Sequence, residues 1–320
     1  MGSLFGDMMH AFENDDVDPE IRAWLTQMFA ASAALGARPG LSAPERRAIA
    51  ERQREPWRRG GPVMALTEEL CVGPAQTRIR IHRPSDTPDL PVLVYLHGGG
   101  WTLFSIDTHD RLMREYAGRS GCAVLGIDYP LAPEHPFPAA IHVIGDVLDW
   151  LASKGTAHGL DPARYAMGGD SAGANLAVAA TIVRRGQGGT MPRALLLNYG
   201  AWDGAWTESY DRYGDGDRYM LTGPEMDEFW ATYLAGEAIN DPLARPLHAD
   251  LSGLPPAWLC VAECDVLLDE NRAMAQRLPQ AELRIYEGAT HSFLEAVAAS
   301  KLADRAIAEA SQWLADMLKA

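Results

Sequence analysis

The chain has 320 residues, which exceeds a typical single domain but fits one α/β domain with an added segment. Hydrophobic residues at 47% and charged residues at 22% are typical of a folded globular protein and exclude a wholly disordered chain. With 28 basic and 43 acidic residues, the formal net charge of −15 disfavours binding to nucleic acids and anionic membranes.

The N-terminal sequence differs from a secretion signal. Residues 1–20 contain six acidic residues and no lysine or arginine, whereas a signal peptide has a basic start and an apolar continuation. No apolar run approaches the ~18 residues that a transmembrane helix needs. Four cysteines are too few for a disulfide framework in a chain of this length. We therefore expect a cytoplasmic protein that neither spans nor binds a membrane.

The cysteine pattern gives no indication of a metal site. Cys260 and Cys264 are four residues apart, but there is no C-x-x-C motif and no second Cys/His pair at zinc spacing. We expect these thiols to pack in the core and expect no bound metal.

Two helices are predicted before residue 62. The first follows Asp18, an N-cap residue with proline after it, and covers about 21–35. The second begins near Ser42 and extends through an arginine-rich stretch to about Arg59. Glutamates alternate with these arginines, so we predict a solvated face rather than a binding patch.

From residue 63 onward, short strand patterns alternate with longer helical patterns. Residues 77–83 alternate apolar and charged side chains, which predicts an edge strand. Six continuous apolar runs follow, as in strands buried on both faces of a parallel sheet: 91–96, 122–127, 165–167, 194–198, 257–262 and 282–286. Helices are predicted at 108–120, 138–154, 172–185, 269–278 and 300–318. This alternation predicts an α/β fold with a mostly parallel central sheet flanked by helices.

One interval interrupts the alternation. Residues 202–246 are rich in aromatic side chains and contain no apolar strand pattern. Open α/β sheets bind ligands at the carboxyl ends of their strands. We therefore predict that this interval is an insertion that covers that edge of the sheet.

A serine motif lies between a predicted strand and a predicted helix. Residues 169–173 read G-x-S-x-G, the nucleophile elbow of a sharp strand-to-helix turn. Such a turn forces the serine side chain outward and requires glycine at both ends of the motif. Ser171 is the predicted nucleophile. The N–H of Ala172, at the helix start, is predicted to stabilise an oxyanion.

A glycine-rich loop follows the strand at 91–96. It contains Gly98, Gly99 and Gly100, whose amides are expected to supply the other oxyanion donors. Which two of the three donate stays open. Neither the phosphate-binding G-x-x-x-x-G-K-[ST] motif nor G-x-G-x-x-G occurs, so no nucleotide cofactor is expected. Two neighbours of the glycine loop and the serine motif are assigned to substrate binding: Trp101 and Asp170.

The general base is expected to be a histidine. Where this elbow occurs in α/β-hydrolases, the order along the chain is serine, acid, histidine, which leaves His248 and His291. His248 precedes the last two strands, and no acid-bearing strand separates it from the serine. His291 follows the final strand, where catalytic groups belong, and is therefore the predicted base.

The acid that orients the imidazole is expected at the end of the preceding strand. Residues 257–262 lead directly to Asp265, which would fix the histidine tautomer and offset the imidazolium charge. Glu263 is the nearest alternative, followed by Asp269 and Glu270.

With these residues in place, the sequence resembles the hormone-sensitive-lipase family of α/β-hydrolase esterases and, within it, the bacterial acetyl esterases. The resemblance covers residues 63–320. It is carried by seven segments: 97–101, 107–111, 128–134, 137–140, 169–173, 265–270 and 291–293. Two positions depart from the family pattern, Pro130 and Val266, and they affect the expected loop shape rather than the chemistry.

The resemblance implies the same three catalytic residues, Ser171, His291 and Asp265. It also implies that the catalytic domain, residues 63–320, has a helical cap over a short acyl pocket. In this sequence the cap would consist of residues 1–62 and the insertion at about 202–246.

The residues thus predict ester hydrolysis through an acyl-enzyme intermediate, and the resemblance implies a carboxylesterase for short acyl groups, from acetyl to about hexanoyl. Its partner would be a small-molecule ester, uncharged rather than anionic, and the protein would be a monomer or homodimer without a cofactor. An amidase or a lactonase could use the same residues, because the fold does not determine function. A non-catalytic receptor on this scaffold would be expected to lack one of the three.

Overall fold

The strands form one mixed sheet in a computed structural model that describes residues 16–214, 218–236 and 240–319. Its order is β1-β2-β4-β3-β5-β6-β7-β8. β2 is antiparallel to β1 and β4, and the other neighbouring pairs are parallel. The strands are β1 Leu66–Val72, β2 Thr77–Arg83, β3 Leu90–Leu96, β4 Ala123–Ile127, β5 Leu160–Asp170, β6 Leu195–Asn198, β7 Ala257–Cys264 and β8 Ala281–Thr290.

Helices lie on both faces of the sheet. Within the described ranges they are α1 Pro19–Ala34, α2 Ala43–Arg54, α3 Asp110–Ser120, α4 Ala139–Lys154, α5 Ala172–Gly186, α6 Glu208–Tyr213, α7 Gly223–Tyr233, α8 Leu268–Arg277 and α9 Lys301–Met317. α4 packs on α5, and α3 packs on α9. No helix in the part of the chain that the structure describes is long and apolar enough to cross a membrane.

The central strands are buried on both faces, which explains their continuous apolar sequences. All residues of β4 and β6 are buried, as are the last five of β3. In a sheet covered by helices on both sides, alternation of polar and apolar residues is lost. The predicted α/β architecture with a mostly parallel sheet is confirmed, and each of the six predicted runs overlaps a strand. The prediction that 282–286 is buried on both faces is wrong, because β8 is an edge of the sheet and residues 281–285 are exposed or only partly buried.

The prediction that residues 77–83 form an edge strand is wrong. β1 pairs with this strand along its whole length, from Leu66 opposite Arg83 to Val72 opposite Thr77, and β4 lies on its other side. β1 itself is the edge. Its sequence combines glutamates with partly exposed apolar residues, so it shows neither the alternation nor the continuous run that identified the other strands.

The N-terminal helices begin where their capping residues indicate. A carboxylate oxygen of Asp18 accepts hydrogen bonds from the N–H groups of Glu20 at 2.9 Å and Ile21 at 3.1 Å. α2 ends at Arg54, earlier than the predicted Arg59, because residues 55–58 form turns. The first 15 residues of the predicted cap segment, and most of the region searched for a secretion signal, lie outside the described residues.

The start of the insertion at 202–246 is anchored by a buried carboxylate. Glu270 on α8 accepts hydrogen bonds from the N–H groups of Trp202 at 2.7 Å, Asp203 at 3.2 Å and Gly204 at 2.8 Å. Burial raises the pKa of Glu270 to about 7, although these hydrogen bonds act to lower it. The described residues of the insertion contain α6 and α7 and no strand.

Asn271 provides a second anchor for the same segment. Its amide oxygen accepts from Gly200 N–H at 3.1 Å and from Trp202 Nε1–H at 3.0 Å. Its amide nitrogen donates to the carbonyl oxygens of Gly200 at 2.9 Å and Leu267 at 2.8 Å. The side chain is fully buried, and no apolar residue could replace these four bonds.

We predict that Asn271→Ala lowers the free energy of unfolding by about 3 kcal/mol, because each buried polar group left without a partner costs roughly 1–3 kcal/mol. Urea denaturation followed by circular dichroism measures this loss. The control is Arg272→Ala, an exposed neighbour on α8, expected to change stability by less than about 0.5 kcal/mol. A loss below about 1 kcal/mol for Asn271→Ala would show that water replaces the amide.

Candidate active site

Ser171 lies on a sharp turn between β5 and α5. Its backbone has φ 54° and ψ −119°, a conformation that non-glycine residues rarely adopt. A Cβ atom at Gly169 or at Gly173 would overlap the carbonyl oxygen of Leu96 at the end of β3. Both glycines of the motif are therefore required by close backbone packing, and this packing holds Ser171 in its strained conformation.

The structure brings Ser171, His291 and Asp265 together, although they are far apart in the chain. Ser171 Oγ lies 3.0 Å from His291 Nε2, and His291 Nδ1 lies 2.7 Å from Asp265 Oδ2. The other carboxylate oxygen of Asp265 accepts from the N–H of Leu267 at 3.0 Å. In this arrangement the imidazole can accept the serine proton, while the carboxylate fixes its orientation.

The alternative acids and the alternative base make other contacts. His248 Nε2 lies 2.8 Å from a carboxylate oxygen of Asp203. Glu263 accepts a backbone N–H of β8 at 3.0 Å. Asp269 accepts a backbone N–H of the insertion at 2.9 Å, and Glu270 anchors the start of that segment. Hence, of the candidates weighed from the sequence, Asp265 is the carboxylate that contacts His291.

The glycine loop places its three amides differently. The N–H of Gly98 donates to Asp170 Oδ1 at 3.1 Å, so it is already occupied and Gly98 does not line the cavity beside the serine. This corrects the prediction that Gly98 is an oxyanion donor. Gly99 and Gly100 do line that cavity. No hydrogen bond described in the structure uses their N–H groups.

Ala172 is the first residue of α5, where backbone N–H groups have no partner inside the helix. In the glycine loop and the serine turn, the N–H groups of Gly99, Gly100 and Ala172 make no hydrogen bond described in the structure. The positive φ angles of the two glycines, 110° for Gly99 and 56° for Gly100, are strained for other residues.

Trp101 and Asp170, assigned to substrate binding from the sequence, do not line the cavity. Each is 1% exposed. Trp101 stacks on Tyr233 of α7, with ring centroids 4.3 Å apart. Asp170 accepts a hydrogen bond from the Tyr95 hydroxyl at 2.7 Å. The structure therefore places both residues behind the cavity wall, as supports rather than contacts.

His97 begins the glycine loop and is held as a neutral imidazole. Burial, and then the neighbouring His109, lower the pKa of His97 to about 3. Its Nδ1 lies 2.8 Å from the Gly98 carbonyl oxygen, so Nδ1 carries the proton and donates. Tyr129 stacks on the ring at 4.3 Å, and its hydroxyl donates to the His97 carbonyl oxygen at 2.7 Å. These contacts fix the start of the loop.

A cavity of about 530 Å³ opens beside Ser171 and His291. Two segments that are distant in sequence complete its wall. One runs from the C-terminal end of α1 through α2 and contributes Ile49. The other is the insertion, which contributes Met226 and Phe229. Among the described residues, no group of histidine, cysteine, aspartate and glutamate side chains could hold a metal ion.

Arg54 in the cavity wall was missed at the sequence level. Its Nε lies 2.8 Å from Glu295 Oε2, and the two side chains are 4% and 8% exposed. Its guanidinium carbon lies 3.8 Å from the ring centroid of Phe104. The arginine-rich stretch was predicted to be solvated, and Arg54 departs from that prediction. No sequence signal distinguished Arg54 from the other arginines, because the helix was predicted to continue to about Arg59.

Comparisons with known proteins agree on one family. The model of the α/β-hydrolase fold family matches residues 93–295. The chain is 41% identical over 243 residues to a carboxylic ester hydrolase, LipN, of Mycobacterium tuberculosis, covering 72% of this chain and 64% of the relative. It is 37% identical over 218 residues to the carboxylesterase NlhH of the same species, covering 65% and 66%. The chain thus spans just under two thirds of the length of these relatives.

Solved structures match nearly the whole chain. A hyperthermophilic esterase from the archaeon Pyrobaculum calidifontis is 32% identical with a TM-score of 0.87, covering 94% of this chain and 98% of that one. An ester hydrolase from the metagenome of Lake Arreo is 34% identical with a TM-score of 0.86 and the same coverage.

We predict that Gly173→Ala destabilises the protein by more than about 1 kcal/mol, because its methyl group would overlap the Leu96 carbonyl and displace the serine turn. The matched control is Gly186→Ala on the same helix, where a Cβ meets nothing within 4 Å. It is expected to be neutral or to stabilise the protein by up to about 1 kcal/mol. Thermal unfolding of both variants measures the difference, and equal melting temperatures would contradict this account of the turn.

Proposed function

Since the chain belongs to the α/β-hydrolase family, in its hormone-sensitive-lipase-like branch, we propose that it is a carboxylesterase with Ser171 as nucleophile. One observation carries the proposal. A chain of hydrogen bonds from Ser171 through His291 to Asp265 lies at the wall of a cavity that also contains Gly99 and Gly100. Support also comes from relatives and solved structures whose names describe ester hydrolysis.

The first half of the reaction forms an acyl-enzyme. Ser171 Oγ attacks the ester carbonyl carbon while His291 Nε2 takes the hydroxyl proton. Negative charge then develops on the carbonyl oxygen. The N–H groups of Gly99, Gly100 and Ala172 donate to this oxyanion. When the carbon–oxygen bond to the alcohol breaks, His291 returns the proton to the departing alkoxide.

The second half releases the acid. Water attacks the acyl carbon, His291 accepts one of its protons, and the bond between the acyl group and Ser171 Oγ breaks. His291 then gives the proton back to the serine. Throughout, Asp265 accepts the hydrogen bond from His291 Nδ1 and offsets the imidazolium charge.

The proposal includes the helical cap. Residues from α2 and from α7 line the cavity together, and an ion pair between Arg46 and Glu228 joins these two helices. We assign residues 1–62 and 202–246 to one cap over a catalytic domain of residues 63–320. Of these segments, residues 1–15, 215–217 and 237–239 lie outside the described part of the chain.

The substrate class is a short acyl ester, from acetyl to about hexanoyl. Phe229 of α7 lies so close to the glycine loop that a Cβ atom at Gly100 would overlap its ring. The ring therefore restricts the space beside the amides that receive the ester carbonyl. Leu103 and Phe104 of the catalytic domain add apolar surface to the cavity wall. Such a surface suits an uncharged acyl chain.

The test of this function is turnover of p-nitrophenyl esters whose acyl chains range from acetyl to dodecanoyl. We expect the highest kcat/KM at or below hexanoyl. We expect Ser171→Ala to lower kcat by about 10⁶-fold, because removal of the nucleophile of such a triad costs roughly that factor. A phosphonate ester should add covalently to Ser171 of the wild-type protein, as mass spectrometry of tryptic peptides detects.

Ser153→Ala serves as the matched serine control, because Ser153 is exposed on α4. It should retain wild-type turnover and phosphonate labelling. The proposal fails if no ester in the series is hydrolysed, or if Ser171→Ala retains more than about a hundredth of the wild-type kcat.

A second prediction separates Asp265 from Glu263. Asp265→Ala is expected to lower kcat by about 10⁴-fold, because the imidazole loses the carboxylate that fixes its tautomer. Glu263→Ala removes only an acceptor for a backbone amide of β8 and should lower kcat by less than about tenfold. Steady-state kinetics on p-nitrophenyl butyrate measure both values. A larger loss for Glu263→Ala would reassign the acid.

A further inference from the structure

A second histidine–carboxylate pair lies beneath the glycine loop. His109 Nε2 is 3.2 Å from Asp170 Oδ2, and the two side chains are 1% and 2% exposed. The other oxygen of Asp170 accepts from the N–H of Gly98 at 3.1 Å and from the Tyr95 hydroxyl at 2.7 Å. The buried carboxylate of Asp170, the residue before Ser171, thus contacts β3 through Tyr95, the glycine loop through Gly98, and the ring of His109.

The hydrogen bonds around Thr108 indicate the protonation of His109. Thr108 Oγ1 donates to the Ser105 carbonyl oxygen at 2.8 Å and lies 2.9 Å from His109 Nδ1. A hydroxyl has one proton, so with that proton on Ser105 the contact to Nδ1 requires an N–H on the ring. The other ring nitrogen faces a carboxylate, which only accepts. In that arrangement both ring nitrogens of His109 carry protons and the ring is an imidazolium, whereas with the Thr108 proton directed to Nδ1 the ring would be neutral.

The position of this charge matters for an oxyanion. Asp170 immediately precedes Ser171, and its partner Gly98 immediately precedes the two glycines proposed as donors. A negative charge on Asp170 without a counter-ion would repel the negative charge that develops beside these amides, and low solvent access would strengthen the repulsion. A positive charge on His109 removes this penalty while the carboxylate keeps its hydrogen bonds.

We propose that His109 is a positioning residue that remains positively charged at neutral pH and neutralises Asp170. The carboxylate can then hold the Gly98 amide, and with it the loop, without opposing the oxyanion. This inference rests on the proposed function, because the oxyanion belongs to ester hydrolysis.

The charges around the pair are consistent with this assignment. Burial acts to lower the pKa of His109, but the Asp170 carboxylate raises it above the ordinary value. For Asp170, burial acts to raise the pKa, and His109 holds it below the ordinary value. Two further ionisable groups act on the pKa of His109: Glu295 raises it, and its partner Arg54 lowers it. The ring of neutral His97 lies 5.6 Å from the His109 ring.

The protonation state can be measured without any catalytic assay. In long-range ¹H–¹⁵N spectra of histidine-labelled protein, the His109 signals are identified by their loss in His109→Gln. Because Asp170 raises the pKa of this ring, both nitrogens should remain protonated as the pH passes about 6.5, where a free imidazole loses its charge. A ring that is neutral at about pH 7 overturns the proposal.

The functional consequence is tested by restoring charge balance. In His109→Gln the amide nitrogen can still donate to Asp170, but the positive charge is gone. We expect kcat for p-nitrophenyl acetate to fall about 10- to 100-fold while KM changes less than about threefold, because the oxyanion exists only along the reaction path. The double variant His109→Gln/Asp170→Asn removes both charges. Its kcat should be at least about tenfold higher than that of His109→Gln.

A merely structural role predicts the opposite result for the double variant, since it removes two native side chains. The proposal is overturned if the double variant is no more active than His109→Gln, or if His109→Gln stays within about twofold of the wild type. His142→Gln, an exposed histidine on α4, is the control and should leave kcat unchanged.

Failure of the proposed function would give a different pattern. The wild-type protein would then show neither ester turnover nor a phosphonate adduct, and the spectra of His109 alone would decide the charge assignment. A doubly protonated ring would support it, and a neutral ring would contradict it.

Discussion

The arrangement of this site depends on the absence of space between the serine turn and the end of β3. The Leu96 carbonyl fills the positions that side chains at Gly169 and Gly173 would occupy. Ser171 is thereby held at a positive φ with its hydroxyl toward the cavity. The glycine loop starts at the residue after Leu96. One backbone contact therefore positions Ser171 relative to the amides proposed to receive the oxyanion.

Buried carboxylates that accept backbone N–H groups determine the shape of the surrounding loops. The Asp170 carboxylate accepts a hydrogen bond from the N–H of Gly98, and Asp265 accepts one from Leu267. Glu270 accepts from the N–H groups at the start of the insertion. Asp170 and Asp265 lie at or just beyond the carboxyl ends of β5 and β7, where parallel strands leave amides without ladder partners, and Glu270 lies in the first turn of α8. These hydrogen bonds fix the backbone of the loops around Ser171 and His291. Such preorganisation is the main source of electrostatic stabilisation in enzymes.

Local sequence was enough to predict the features that depend on strand order and backbone geometry. Continuous apolar runs located the inner strands β3 to β7, because burial on both faces leaves no other pattern. The run at 282–286 also coincides with a strand, but β8 is an edge of the sheet and is largely exposed there. The end of β7 identified Asp265, which the structure places 2.7 Å from His291 Nδ1. β1 was missed because an edge strand with mixed side chains lacks a periodic signal. Gly98 was assigned as a donor because sequence does not reveal which carboxylate accepts its amide.

Contacts between residues that are distant in sequence could not be predicted, for a related reason. Trp101 follows the glycine loop, yet its ring packs on Tyr233 of the insertion and supports the wall from behind. Arg54 belongs to a stretch that looks solvated, yet its buried pair with Glu295 joins α2 to the segment four residues after His291. Removing one partner of such a pair would leave a buried charge uncompensated, so the two segments have a strong preference to stay together. Consequently, the helix that lines the cavity and the loop that carries the histidine are held by the same contact. The position of α2 is thereby linked to the position of the loop that carries His291.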